Sequence, residues 1–184
     1  MSSPRVRLAG RNDRERVVDT VVAAFAEDPA FRHFFPEGEY ADQAPIFVRH
    51  LFDQRTPHGG VWVADEGAAV ALWNPPGVVP TWPPSAQSAA VVARMERYDC
   101  AVHQLLPADP SWYLGVLATH PDHAGQRLGR LVMAAGLERA QEDGLPAYLE
   151  TVTPTNVAIY TASGWTIAGT TSVDELDVWV MRHG

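Results

Sequence analysis

The sequence predicts an α/β chain built on one sheet with helices packed across it, and three observations carry that prediction. From Ser111 to Met181 the residue pattern runs strand, helix, strand, helix, strand, strand; alternation at these lengths builds layers around a sheet. Upstream, Val61-Trp62-Val63-Ala64 and Ala68-Ala69-Val70-Ala71-Leu72-Trp73 flank Asp65-Glu66-Gly67, which reads as a hairpin and hence an antiparallel part of the sheet. Finally, 46 % hydrophobic content over 184 residues suffices for one substantial core, which favours a single domain spanning 1–184.

In chain order, Val6-Arg7-Leu8-Ala9 is a short strand, and Asp13 opens a helix whose Val17, Val18, Val21, Val22 and Phe25 form an apolar stripe. Asp28-Pro29 stops that helix, because the residue before proline is pushed out of helical geometry. Phe31-Arg32-His33-Phe34-Phe35-Pro36 is expected as an aromatic loop or short turn, serving either as satellite core or as a wall of an acceptor pocket. A second helix is expected from about Ala41 to Gln54, with Ile46, Phe47, His50 and Leu51 on one side and Pro45 near its start. Asn74-Pro75-Pro76-Gly77 closes the hairpin strand, and the proline-rich stretch through Pro84 has no regular pattern. A third helix is expected from about Ser85 to Leu106, stopped by Pro107-Ala108-Asp109-Pro110.

The strand from Trp112 to Ala118 leads through Pro121 and Gly125 into a helix expected from about Gln126 to Glu142, whose Leu128, Leu131, Val132, Ala135 and Ala140 can face a sheet. A strand follows over 147–152, and Thr153 then caps a helix with Pro154 at its first position, placing Asn156 and Tyr160 one turn apart. Two further strands end near Met181; the last, from Leu176, would support a homodimer if its edge were exposed.

A formal net charge of -8 argues against a general nucleic-acid surface and is compatible with a cationic or amine partner. All 14 Lys+Arg residues are arginine, so lysine Schiff-base and Walker-type phosphate chemistry have no candidate residue. Cys100 is the single cysteine, which excludes an intrachain disulfide and a dithiol centre. No apolar run has membrane-spanning length and the N-terminus lacks a secretory core, so a soluble cytoplasmic protein without a membrane partner is expected. His120, Asp122 and His123 form too generic a cluster for a metal motif, and no metal is expected.

Chemistry concentrates in three places. The first amides of the helix after Gly125 have no intrahelical acceptor, so a phosphate can sit there, with Arg127 or Arg130 pairing to it. Glu150 is a carboxylate in an otherwise apolar strand, where burial raises its pKa toward general-base range; an outward or hydrogen-bonded structural carboxylate is the alternative. Tyr160 has the polarity and reach of a proton donor, or else packs beneath the last strands.

The residues from Trp112 through Leu117, with Pro121, Gly125, Leu128-Gly129, Tyr148-Leu149-Glu150-Thr151, Asn156, Tyr160 and Gly164-Trp165, resemble the Gcn5-related N-acetyltransferase (GNAT) superfamily. Ala26-Glu27-Asp28-Pro29-Ala30-Phe31, Phe35-Pro36, Ala71-Leu72-Trp73 and Pro75-Pro76-Gly77 extend the resemblance, most closely to the puromycin N-acetyltransferase branch. The resemblance implies an acyl-CoA N-acyltransferase fold: a mixed, mainly antiparallel sheet of about seven strands, with a splay between the strands near 112–118 and 147–152. It further implies acetyl-CoA as co-substrate, held by Val116, Leu117, Ala118, Gly125, Gln126, Arg127, Leu128, Gly129, Arg130 and Asn156. A small-molecule amine would be acetylated directly, with backbone donors near Leu117 at the thioester oxygen, Glu150 as base and Tyr160 protonating the thiolate. The phosphate loop departs from the family pattern at Ala124, where a long polar residue belongs, and at Arg127, where a glycine belongs. That departure motivates a competing class, a non-catalytic binding or regulatory module; an acyltransferase for longer acyl groups is the other alternative.

Overall fold

The structure is a computed structural model that describes residues 4–36, 38–78, 81 and 87–184. Strands β1 (Val6–Leu8), β2 (Val61–Ala64), β3 (Ala69–Asn74), β4 (Trp112–Thr119), β5 (Ala147–Thr151), β6 (Thr166–Val173) and β7 (Leu176–His183) form one seven-stranded sheet in the order β1-β2-β3-β4-β5-β7-β6. Every pairing is antiparallel except β4–β5. Because β7 pairs with both β5 and β6, the last strand has no free edge, so the condition for a dimer through it is not met: β1 and β6 are the edge strands.

Helices α1 (Arg14–Ala24), α2 (Pro29–Phe34), α3 (Tyr40–Arg55) and α4 (Ala89–His103) cover one face, in a core with Val63, Val70, Leu72, Val116, Tyr148 and Val180. Helices α5 (Leu128–Glu142) and α6 (Pro154–Thr161) cover the other, against Trp73, Trp112, Leu114, Leu149 and Met181. Removing a side chain such as Val48, Phe52 or Leu149 from water contributes about 1.5–3 kcal/mol each.

Four local expectations are revised by packing. Asp13 does not cap α1 through its side chain; its carboxylate instead accepts from the Gly10 amide and the Arg7 guanidinium, each at 2.7 Å. The aromatic segment is helix α2, not a loop, because Asp28 accepts from the amides of Ala30 and Phe31 and Pro29 occupies the first turn. On α3 the buried stripe is Ala44, Phe47, Val48, Leu51, Phe52 and Arg55, so Ile46 and His50 lie to its side and the helix runs one residue beyond Gln54. On α5, Leu131 is 39 % exposed and Gly136 takes the contact with the sheet. Ser88 caps α4, its hydroxyl accepting from the Val91 amide; Ser85 and the prolines at 83 and 84 lie outside the described residues.

Candidate active site

The parallel strands pair only through Trp112↔Ala147, Tyr113↔Tyr148 and Leu114↔Leu149. Immediately afterwards β4 bulges against β3: Leu72 faces Val116 while Trp73 faces Leu114, leaving Gly115 as the extra residue. Beyond that rung β4 and β5 part, and polar backbone groups of β4 that would have met β5 are released into the gap. The gap opens a cavity of about 700 Å³, lined by Val116, Leu117, Ala118, Glu150, Asn156 and Tyr160 and by the rings of Phe31, Phe34 and Phe47.

Strand alternation turns Tyr148 and Glu150 toward the α1–α4 face and Leu149 toward α5. Glu150 is half-buried there, and the Tyr113 hydroxyl donates to its Oε2. Enclosure pushes the Glu150 carboxyl up to about 7; the Tyr113 bond pulls it down and the nearby Asp99 charge pushes it up. Burial, and then the Glu150 charge, hold the Tyr113 phenol well above its ordinary value, so Tyr113 stays a donor.

Helix α6 begins with Thr153, whose Oγ1 accepts from the Asn156 amide at 3.3 Å, followed by Pro154. One turn on, the Tyr160 ring meets Trp165 edge-on with centroids 6.1 Å apart, while Asn156 and Tyr160 both border the cavity. Burial, then the Glu150 charge, raises the Tyr160 phenol, which remains protonated at neutral pH.

The loop from Gly125 to Arg130 lies outside the cavity lining, at the start of α5. Gly125 has φ 80° and Arg127 has φ 61°, ψ 17°, so the arginine occupies the left-handed region that the expected glycine adopts without strain. Leu128 is 1 % exposed and packs into the core, so only its backbone faces the loop. The Arg130 amide is taken by the Arg127 carbonyl at 3.1 Å, leaving Leu128 and Gly129 to open the helix without intrahelical acceptors. A Cβ at Gly129 would stand 3.1 Å from Thr119 Oγ1, a close approach of helix to strand. Gln126, Arg127 and Arg130 are exposed, and neither arginine is ion-paired among the described residues. His120 and His123 lie in the turn before this loop, also outside the cavity lining.

Sequence reasoning missed Tyr113 and Arg55. Tyr113 alternates onto the same face as Glu150, a signal that becomes legible only once the parallel register is known. Arg55 had a local signal: it extends the Phe47, Leu51 row at four-residue spacing, where an apolar residue belongs.

The acetyltransferase (GNAT) family matches residues 23–165. Among solved structures, the chain is similar to a histone acetyltransferase HPA2 and related acetyltransferase from Corynebacterium glutamicum, at 25 % identity and TM-score 0.69, covering 98 % of this chain and 96 % of that one. The polyamine N-acetyltransferase of Drosophila melanogaster, which forms N-acetylagmatine, aligns at 16 % identity and TM-score 0.66, covering 98 % and 99 %. An arylalkylamine N-acetyltransferase 2 from Aedes aegypti aligns at 12 % identity and TM-score 0.67, covering 98 % of each chain.

Proposed function

Because the chain belongs to the acetyltransferase (GNAT) family, we propose that it transfers the acetyl group of acetyl-CoA to the amine of a small molecule. The observation that carries this reading is Glu150: a carboxylate at the rung where β4 and β5 part, facing an aromatic-walled cavity and held near neutrality. A base poised near 7 is matched to taking a proton from an amine. The splay is compatible with a pantetheine arm, since the β4 groups released beyond Leu114 supply the hydrogen-bonding partners that β5 withdraws.

When bound, acetyl-CoA supplies the activated thioester. Val116, Leu117 and Ala118 would line its arm, and Gly125, Gln126, Arg127, Gly129 and Arg130 would hold its pyrophosphate, with Leu128 contributing its amide alone. Glu150 accepts the amine proton, released backbone amides of β4 favour the oxyanion, and Tyr160 protonates the departing sulfur, with Asn156 bordering the same opening. Phe31, Phe34 and Phe47 suit an acceptor with an apolar body, and the resemblance to the puromycin branch supports an amine acceptor. The function would be exercised in the cytoplasm; no helix among the described residues is long and apolar enough to cross a membrane.

The test is thiol release from acetyl-CoA with a panel of amines, in the wild type, Glu150→Gln and Tyr160→Phe. Turnover should fall about 10²–10⁴-fold in Glu150→Gln and less steeply in Tyr160→Phe. Absence of acetyl-CoA binding at millimolar concentration would sink the reading. It would favour a non-catalytic module on this fold, the second reading motivated by Arg127 in the phosphate loop.

A further inference from the structure

Apart from Asp109, which is exposed, the charged groups on the walls of the cavity are partnered, with one exception among the described residues. Asp28 accepts from the amides of Ala30 and Phe31, Asp99 lies 3.1 Å from His103 Nδ1, and Glu150 takes the Tyr113 hydroxyl. Arg55 also lines the cavity, yet it is 4 % exposed and no carboxylate among the described residues comes within ion-pairing reach of it. Its Nη1 donates to the Leu51 carbonyl at 3.1 Å, while its Nε is buried without a partner. Glu150 favours the charged form of Arg55 through space, but a guanidinium out of water with no carboxylate in contact is strongly unfavourable. The surrounding chain nevertheless makes room for it: a Cβ on the bulge residue Gly115 would stand 3.3 Å from Arg55 Nη2.

We propose that Arg55 receives a carboxylate of the acceptor, so that the substrate is an amine that also carries a carboxylate, bound with its amine toward Glu150. The inference rests on the acetyl-transfer reading for the second half of that statement only. A guanidinium presents a planar fork that matches a carboxylate in two parallel hydrogen bonds. Arg55 comes from α3, which packs on the sheet face that Glu150 also occupies, and the rings of Phe31, Phe34 and Phe47 line the same cavity, where the apolar body of such a molecule would lie. A formal net charge of -8 gives an anion no general attraction to this protein, so a local buried cation is what selection of a carboxylate requires. Desolvation lowers the Arg55 guanidinium to about 10, which leaves it charged at neutral pH.

A matched set of probes tests this. Calorimetry without acetyl-CoA measures 3-phenylpropionate binding to the wild type, Arg55→Lys and Arg55→Met, with circular dichroism verifying that each variant is folded. Wild-type binding should weaken about 100-fold in Arg55→Met and be partly retained in Arg55→Lys. With acetyl-CoA, the ratio of kcat/KM for phenylalanine over 2-phenylethylamine should drop by a similar factor in Arg55→Met. No wild-type heat from 3-phenylpropionate at millimolar concentration, or an unchanged ratio because both amines lose equally, overturns the proposal. The two readings fail separately: carboxylate binding without acetylation of either amine removes the acetyl-transfer function and keeps the Arg55 site, whereas acetylated 2-phenylethylamine without carboxylate binding does the reverse.

Discussion

Tyr113 on β4 donates its hydroxyl to Glu150 on β5, bridging the two parallel strands at the rung where their pairing ends. A hydrogen bond to the ionised form favours ionisation, so Tyr113 offsets part of the desolvation that raises Glu150 to about 7. If ionised Glu150 takes the amine proton, kcat/KM rises with pH through that value. Tyr113→Phe removes the favourable bond and should move the limb up by about one pH unit. A pH–rate profile with the limb unmoved would detach Tyr113 from the chemistry.

Glu150→Gln should separate activity from stability. The folded carboxyl titrates above its ordinary value of 4.5, so the folded state binds more protons than the unfolded state between roughly 4.5 and 7. Wild-type stability therefore falls as pH rises through that window and is level above it. A glutamine does not ionise, and its amide oxygen still accepts from Tyr113. The variant should match the wild type near pH 4 and exceed it above pH 7 by about 3 kcal/mol, while losing turnover. Urea melts at both pH values check this; a variant less stable than wild type at pH 8 contradicts it.

Much of the sheet and the carboxylate at Glu150 were legible in the sequence because they depend on local periodicity: an acidic residue within Ala147–Thr151 is conspicuous wherever that strand sits. What depended on non-local contacts was not. Asp28-Pro29 reads as a helix stop, and it is equally a helix start, since the same two residues cap and initiate α2. Strand order is invisible when β7 inserts between β5 and β6, which leaves it without the exposed edge that a dimer through it would need. A one-residue rotation of the α3 stripe hid Arg55, and Tyr113 meets Glu150 only through the parallel register.

Arg127→Gly should have opposite effects on folding and on cofactor affinity. A non-glycine residue at φ 61° is strained by about 1–2 kcal/mol, while glycine in the unfolded chain has more freedom to lose. The net is a gain in stability of up to about 1 kcal/mol. The Arg127 side chain is exposed and not ion-paired among the described residues, so it is available to phosphate oxygens. CoA affinity should fall severalfold in the variant, with a shallower salt dependence. Calorimetry at two ionic strengths measures both; tighter binding would show that the side chain obstructs the phosphate path instead.

Gly136→Ala tests how the middle of α5 is held over the sheet. A Cβ at Gly136 would stand 2.3 Å from Cε2 and Nε1 of Trp73, which is fully buried on β3 and packs edge-on against Trp112. Alanine is the better helix former by about 1 kcal/mol, but the indole cannot retreat, and overpacking of this kind costs about 1–3 kcal/mol or more. Overpacking wins, so the melting temperature should drop. Lifting α5 also displaces Leu128 and Gly129 at its N-terminus, so KM for acetyl-CoA should rise more than kcat falls. Trp73→Phe trims the atoms that clash, and in the Gly136→Ala background it should recover part of the lost stability, a coupling that a double-mutant cycle reads directly. Additive losses in that cycle would show that the strain is absorbed elsewhere in α5.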